Sequence, residues 1–223
     1  MIKNLVIHIG DPKNGSSSIQ DAVARGLWKC EAKTIAQSHF RNEVGLAKSV
    51  RRKASIEMRE KRFSALSEWA LNTEADYGVV SSEFFSQVRP EIFKEVLTEY
   101  LPEFVENMRI LAYVRPHADR FVSTYAQRVK NGMFVRDMAP LLNTLSTDSA
   151  LNYHSRFSDW KDSFGERLTV RPFIRDALND NDVVSDFFHF VLEGTPFALR
   201  DPGITNRSLN VSQIAAMRVF REL

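Results

Sequence analysis

An apolar run near the start of the chain passes into a loop with two glycines and then into a helical pattern. The run at residues 5–7 is rich in β-branched side chains and ends shortly before Gly10, which predicts a buried strand from Lys3 to Ile9. Apolar side chains then recur at four-residue spacing through residues 19–27, which predicts a helix from Ser16, as its N-cap, to about Trp28. This order of elements predicts the first unit of an α/β domain.

The alternation of strands with helices continues along the chain. Such alternation predicts a parallel sheet with helices on both faces, so we expect a three-layer α/β fold with a central parallel β-sheet flanked by helices. Residues 1–223 are expected to form a single domain. Because residues 214–220 still show a helical pattern, truncation of this domain at its C-terminal end remains an alternative. Further strands are predicted at residues 77–81, 109–114 and 168–170, and helices at 90–101, 117–130 and 183–192, with a long charged helical region at 40–72.

Composition and charge exclude several classes of protein. A formal net charge of +2 argues against general nucleic-acid binding, which would need a clear basic excess. The single cysteine, Cys30, cannot form an internal disulfide, and this cysteine usage suits a reducing compartment. No apolar run approaches the ~18 residues of a membrane span, and no signal-peptide pattern precedes the first strand. We therefore expect a cytoplasmic protein without a transmembrane segment.

The loop after the first predicted strand has the composition of an anion site. Gly10 and Gly15 permit backbone N–H groups to converge on an anion, and the N-terminus of the following helix adds exposed amides. Lys13 supplies a mobile positive charge, and three serines supply hydroxyl donors. An ordinary strand-to-helix turn is the alternative, but these features in combination favour the anion site. The three serines are Ser16, Ser17 and Ser18.

The lysine of this loop is displaced from its place in an ATP-binding loop. The Walker A pattern requires Gly, four residues, Gly, Lys and then Ser or Thr. Gly10 and Gly15 keep the glycine spacing, but Ser16 stands in the lysine position, and Lys13 lies two residues before the second glycine. The run PKNGSS, which begins at Pro12, resembles the 5′-phosphosulfate loop of the sulfotransferases that use 3′-phosphoadenosine 5′-phosphosulfate (PAPS).

This resemblance implies a P-loop-like fold and a role for each matching residue. In that family the early lysine reaches the bridging oxygen of the phosphosulfate, which is the role implied for Lys13. The 3′-phosphate is held by an arginine at a strand end and a serine eight residues later. Arg115 and Ser123 have this spacing, although proline follows the arginine directly, and Arg120 falls at a common second arginine. The implied PAPS-binding residues are Pro12, Lys13, Gly15, Ser16, Ser17, Ser18, Arg115, Ser123 and, near the C-terminus, Arg207.

A carboxylate follows the predicted strand at residues 77–81. In sulfuryl transfer the acceptor hydroxyl must lose a proton, so a base near the strand ends is expected. Several carbohydrate sulfotransferases use a glutamate of this kind, and the resemblance implies that role for Glu83. Alternatively Glu83 is an exposed carboxylate or a partner of Lys13. His8 is the rival base, although its place inside a strand favours a histidine of the core.

The stretch from Tyr125 to Lys130 is similar to that of bacterial members, which points to a bacterial, carbohydrate-sulfotransferase-like branch. The resemblance then implies sulfuryl transfer from PAPS to an acceptor hydroxyl on a carbohydrate or glycolipid, with no metal. Residues 41–62 hold eight basic and three acidic side chains, a face that would attract an anionic acceptor, although a solvated helix face is the simpler interpretation. A P-loop nucleotide kinase or NTPase, and a non-catalytic nucleotide- or glycan-binding relative, remain alternatives.

Overall fold

The computed structural model describes a parallel sheet flanked by helices, which confirms the expected three-layer α/β fold. The described residues are 1–50, 56–134, 137–146, 151–200 and 211–222. The strands are β1 (Ile2–His8), β2 (Trp28–Lys29), β3 (Ile35–Gln37), β4 (Ala75–Ser81), β5 (Arg109–Val114), β6 (Leu168–Pro172) and β7 (Ala198–Leu199). The helices are α1 (Ser16–Ala24), α2 (Val44–Ser49), α3 (Ile56–Asn72), α4 (Pro90–Tyr100), α5 (Pro102–Val105), α6 (His117–Lys130), α7 (Met138–Ser146), α8 (Tyr153–Phe164), α9 (Val183–Val191) and α10 (Val211–Glu222).

Five parallel strands form the main sheet in the order β3-β4-β1-β5-β6, while β2 and β7 pair separately and antiparallel. The central position of β1 explains its continuous apolar run, because both of its faces are covered. Leu5 and Ile7 pack on one face in a core that includes side chains from α3, α4 and α8. Val6 packs on the other face with side chains from α1 and α9.

Three loops meet at the carboxyl edge of this sheet. Because β4 and β5 are the two neighbours of β1, the segments that follow these three strands lie next to one another. In the register of β1 with β4, His8 lies opposite Ser81, so the two strands end at the same level. Ligands of open parallel sheets bind at this edge, and here it carries the glycine loop, Glu83 and Arg115.

Several predicted boundaries are wrong for local reasons. Helix α1 ends at Ala24 instead of about Trp28, because Gly26 takes a left-handed φ of 60° and turns the chain toward β2. Its N-cap is Gly15, with a φ of 78°, and Ser16 is the first helical residue. The predicted helical region at residues 40–72 contains two helices, α2 and α3. Among the described helices, none is long and apolar enough to cross a membrane.

Candidate active site

The three loops enclose one cavity of about 810 Å³ at the carboxyl edge of the sheet. This volume lies within the range of small-molecule sites. Every predicted site residue in the described part of the chain lines it, whereas Arg207 lies outside the described residues. The predicted residues in the lining are Pro12, Lys13, Gly15, Ser16, Ser17, Ser18, Glu83, Arg115 and Ser123, and they are joined there by Asp119, Gln127, Lys130 and Phe173 among others.

The glycine loop is held in an uncommon backbone conformation. Gly15 adopts a left-handed φ of 78°, which costs glycine little, but Lys13 adopts a φ of 70°, where a lysine is strained. Arg115 Nη1 donates a hydrogen bond to the Lys13 carbonyl oxygen at 2.8 Å. The buried Asn14 amide donates to the carbonyl of Tyr113 in β5. These two hydrogen bonds connect Lys13 and Asn14 to the end of β5 and so hold the strained backbone of Lys13 in place.

Ser16 presents a buried hydroxyl at the N-terminus of α1. Its side chain is 3% exposed, and its Oγ has no hydrogen-bond partner among the described residues. A methyl group on Gly10 would lie 2.2 Å from Ser16 Oγ, so the loop requires glycine at that position. Buried polar groups in native proteins are satisfied, and a helix N-terminus attracts anions. The end of α1 therefore fits an anion that would accept a hydrogen bond from Ser16.

Lys13 gives the cavity a cationic wall. Its Nζ donates a hydrogen bond to Gln127 Oε1 of α6 at 2.8 Å. Burial lowers the pKa of Lys13, and the nearby charges of Lys130 and Arg115 lower it further, while Glu83 opposes this shift. Positive groups that lie close to one another favour the binding of an anion between them.

Glu83 begins a short 3-10 turn directly after β4. The Ser82 hydroxyl caps the turn by accepting a hydrogen bond from the Phe84 N–H at 3.3 Å, and it donates to Asn42 Oδ1 at 2.8 Å. Burial raises the pKa of Glu83, and the charge of Lys13 opposes that shift. The Lys13 ammonium donates its hydrogen bond to Gln127 Oε1, and it acts on Glu83 through its charge. A half-buried carboxyl group with a raised pKa, facing the cavity, suits proton transfer.

Arg115 lies where β5 gives way to α6. Its guanidinium is 5.2 Å from the ring centroid of Phe173, and its buried Nε has no hydrogen-bond partner among the described residues. Ser123 lies on the face of α6 that also turns Asp119 and Gln127 toward the cavity, since these positions are four residues apart. Arg115 and Ser123 thus border the same space as the glycine loop, and Asp119 is an acidic side chain on this wall.

A buried ion-pair cluster beneath the loop was not predicted from the sequence. The Asp11 side chain is 1% exposed and lies 2.8 Å from Arg120 Nη1. Arg156 of α8 donates two hydrogen bonds to the same carboxylate, at 2.9 and 2.6 Å. Arg120, the position of the family's second arginine, is therefore held by Asp11 and does not line the cavity. Asp11 and Arg156 are 145 residues apart, so no local pattern signals their pairing.

Replacing Asp11 by Asn is expected to destabilise the fold strongly. The change keeps the side chain's shape but leaves two half-buried arginines without their counter-charge, at a cost of about 3–5 kcal/mol. The measurement is urea-induced unfolding. Asp21→Asn is the matched control, because Asp21 also pairs with two arginines but at the surface, where the expected loss is below about 1 kcal/mol. Equal losses in the two variants would contradict this account of the cluster.

These features define a P-loop-like α/β protein whose glycine loop borders a cavity with a cationic wall. A sulfotransferase from Alicyclobacillus acidocaldarius aligns with a TM-score of 0.59 and 15% identity, covering 99% of this chain and 94% of that chain. A gluconokinase from Sinorhizobium meliloti 1021 aligns with a TM-score of 0.40 and 12% identity, over 87% and 94% of the two chains. No family model and no curated protein matches the sequence. The chain therefore has a sulfotransferase-like fold, and the resemblance noted in the glycine loop is confirmed at the level of the fold.

Proposed function

We propose that this protein is a sulfotransferase that moves a sulfuryl group from PAPS to an acceptor hydroxyl. One observation carries the proposal: the two anion sites implied by the resemblance line a single cavity. The glycine loop supplies one of them, and Arg115 with Ser123 supplies the other. They are separated by about 100 residues in the chain, as the Arg115–Lys13 hydrogen bond illustrates, and only the fold brings them together.

The described residues fit the charges of such a co-substrate. Loop amides with the hydroxyls of Ser16, Ser17 and Ser18 would hold the 5′-phosphosulfate. Arg115 and Ser123 would hold the 3′-phosphate, which distinguishes PAPS from ordinary adenine nucleotides. The buried, unpaired Ser16 Oγ and Arg115 Nε support this assignment, because bound oxyanions would give both a partner.

The chemistry assigned to the protein is electrostatic stabilisation and proton transfer. PAPS, when bound, supplies a sulfuryl group on a good leaving group. Lys13 neutralises the negative charge that develops on the bridging oxygen as the bond to sulfur breaks. Glu83 accepts the proton of the acceptor hydroxyl as its oxygen forms the new bond to sulfur. Such catalysis depends on positioning and preorganised charge, as in phosphoryl transfer.

The acceptor that we propose is a carbohydrate or glycolipid. A second cavity, of about 570 Å³, lies between α2, α3 and the loop after β3, and its mouth carries Phe40 and Met58, which are 60% and 48% exposed. Lys61 and Arg62 line it, as do Glu43 and Glu57. The loop beside this cavity is tied to the segment of Glu83 through the hydrogen bond between Asn42 and Ser82. A cytoplasmic location is likewise proposed.

Thermal unfolding with different nucleotides tests this function. A ligand at 100 times its dissociation constant stabilises a protein by about 2.7 kcal/mol, so 3′-phosphoadenosine 5′-phosphate (PAP) is expected to raise the Tm more than AMP or ATP with Mg²⁺ does. Arg115→Ala is expected to abolish the preference for PAP over AMP. Arg25→Ala, at the far end of α1 and half exposed, is the control that keeps the preference.

Each other outcome favours a different function. Equal or absent shifts with PAP and AMP would overturn PAPS recognition. A larger shift with ATP and Mg²⁺ would favour a P-loop kinase or NTPase. PAP binding without sulfuryl transfer to any hydroxyl acceptor would favour a non-catalytic relative.

A further inference from the structure

His8, the last residue of β1, is a buried polar group that the proposed mechanism does not use. Its side chain is 0% exposed, and its ring contacts the edges of Tyr113 and Phe187, at centroid distances of 6.0 and 5.7 Å. Its Nδ1 lies 2.9 Å from Ser81 Oγ at the end of β4. Gln20 Nε2 of α1 donates to the same hydroxyl oxygen at 3.1 Å. A buried polar chain thus runs from α1 through β4 to β1.

The chain of hydrogen bonds favours one position of the proton on His8. A hydroxyl donates one hydrogen bond, and Ser81 Oγ already accepts one from Gln20. In the part of the chain that the structure describes, His8 Nδ1 is the acceptor within reach of the Ser81 proton. Donation of that proton to Nδ1 uses both functions of the hydroxyl and leaves the single proton of a neutral imidazole on Nε2, which is the tautomer that the inference below assigns.

Nε2 of His8 and Oγ of Ser16 converge on one point beneath the glycine loop. Both atoms are buried and lack a hydrogen-bond partner among the described residues. A methyl group on Gly10 would lie 3.2 Å from His8 Nε2 and 2.2 Å from Ser16 Oγ. The two atoms are therefore at most 5.4 Å apart, within reach of a small side-chain shift or one bridging water. Gly10 leaves the space between them open.

We propose that His8 is a positioning residue whose Nε2–H directs a hydrogen bond to Ser16 Oγ, so that the Ser16 proton points into the cavity. Ser16 accepts from within the protein and donates toward the ligand, which makes it a fixed donor for a fully ionised oxyanion such as the sulfate or phosphate group of a nucleotide. The inference rests on the proposed function, since it specifies how the same loop binds its anion.

Two further observations concern the charge of His8 and its distance from the cavity. Burial lowers the pKa of His8 to about 4, so the ring carries one proton at neutral pH. Of the described residues that line the cavity, Glu83 is one and His8 is not. His8 is therefore out of reach of an acceptor hydroxyl, which argues against its role as the base.

The closing experiment uses two substitutions, each of which places an amide near the position of one of the two ring nitrogens of His8. The side-chain amide of His8→Gln reaches the Nε2 position and can donate there, whereas that of His8→Asn reaches only the Nδ1 position. Titration calorimetry with PAP is expected to show about 10-fold weaker binding for His8→Asn and a change of less than about 3-fold for His8→Gln. The reason is that His8→Asn loses the donor to Ser16 Oγ, the group that binds the anion, whereas His8→Gln keeps it.

A double-mutant cycle separates positioning from a structural effect. In a Ser16→Ala background, His8→Asn is expected to cause no further loss of PAP affinity. The ¹⁵N chemical shifts of His8 in the unmodified protein are expected to show a neutral ring protonated on Nε2. A proton on Nδ1, or equal losses with and without Ser16, would overturn the inference. If the unmodified protein does not bind PAP at all, the proposed function fails, while the ¹⁵N result still tests the tautomer.

Discussion

Lys13→Gly is expected to abolish most sulfuryl transfer while leaving the protein folded and no less stable than Lys13→Ala. A preorganised group that stabilises charge in the transition state contributes about 10²–10³-fold to kcat, and Lys13 is the loop's only side chain with such a charge. Burial and the neighbouring cations lower the pKa of Lys13, which means that its charged form is destabilised in the protein. We therefore expect kcat to fall far more than the affinity for PAP.

The backbone of Lys13 makes this substitution diagnostic. A left-handed φ of 70° costs a residue with a side chain about 1–2 kcal/mol, and glycine avoids that cost. Lys13→Gly should consequently unfold at a higher urea concentration than Lys13→Ala, although both lose activity. Lys3→Ala, at the opposite end of β1 and 71% exposed, serves as the control for removing a lysine and should keep full activity. If Lys13→Gly retains most of its kcat, the charge is not used in the reaction.

Local patterns in the sequence were sufficient to predict the elements that carry the site. The apolar run of β1, the proline that opens α4 at Pro90 and the 14-residue α6 are each encoded by adjacent residues, so their predicted bounds agree with the structure to within one or two residues. The site residues lie at strand ends and helix starts, except Ser123, which lies within α6. Their convergence then follows from one topological fact, that β4 and β5 flank β1.

Long-range pairings were beyond the sequence because no spacing rule specifies them. In the sequence Asp11 has the pattern of an ordinary loop aspartate, but in the fold α8 places Arg156 against it. Arg120 has the spacing of a ligand-binding arginine, but in the fold it forms an ion pair with Asp11. The relation of His8 to Ser16 depends similarly on Gly10, whose missing side chain leaves space between them. Each case is a tertiary contact that changes the meaning of a residue whose local pattern is unremarkable.

Glu83→Gln is expected to lower kcat by about 10²–10⁴-fold while PAP affinity changes little, because the amide keeps the shape of the side chain but cannot accept the proton. Single-turnover transfer from PAPS to a hydroxyl acceptor measures the rate, and PAP titration measures the affinity. Glu99→Gln, an exposed position on α4, is the control with an unchanged rate. An unchanged rate in Glu83→Gln would place the base elsewhere.

The pH dependence of kcat supplies an independent test of both residues. Glu83 must be ionised to act as a base, and burial raises its pKa, so activity should fall on acidification at a pH above that of an ordinary glutamate. Lys13 must be protonated, and burial lowers its pKa, so activity should fall on the alkaline side below the pKa of an ordinary lysine. The pH range of activity is therefore narrower than the ordinary pKa values of glutamate and lysine would give. Glu83→Gln should remove the acidic limb of the residual activity and move the alkaline limb to lower pH, since the charge of Glu83 raises the pKa of Lys13.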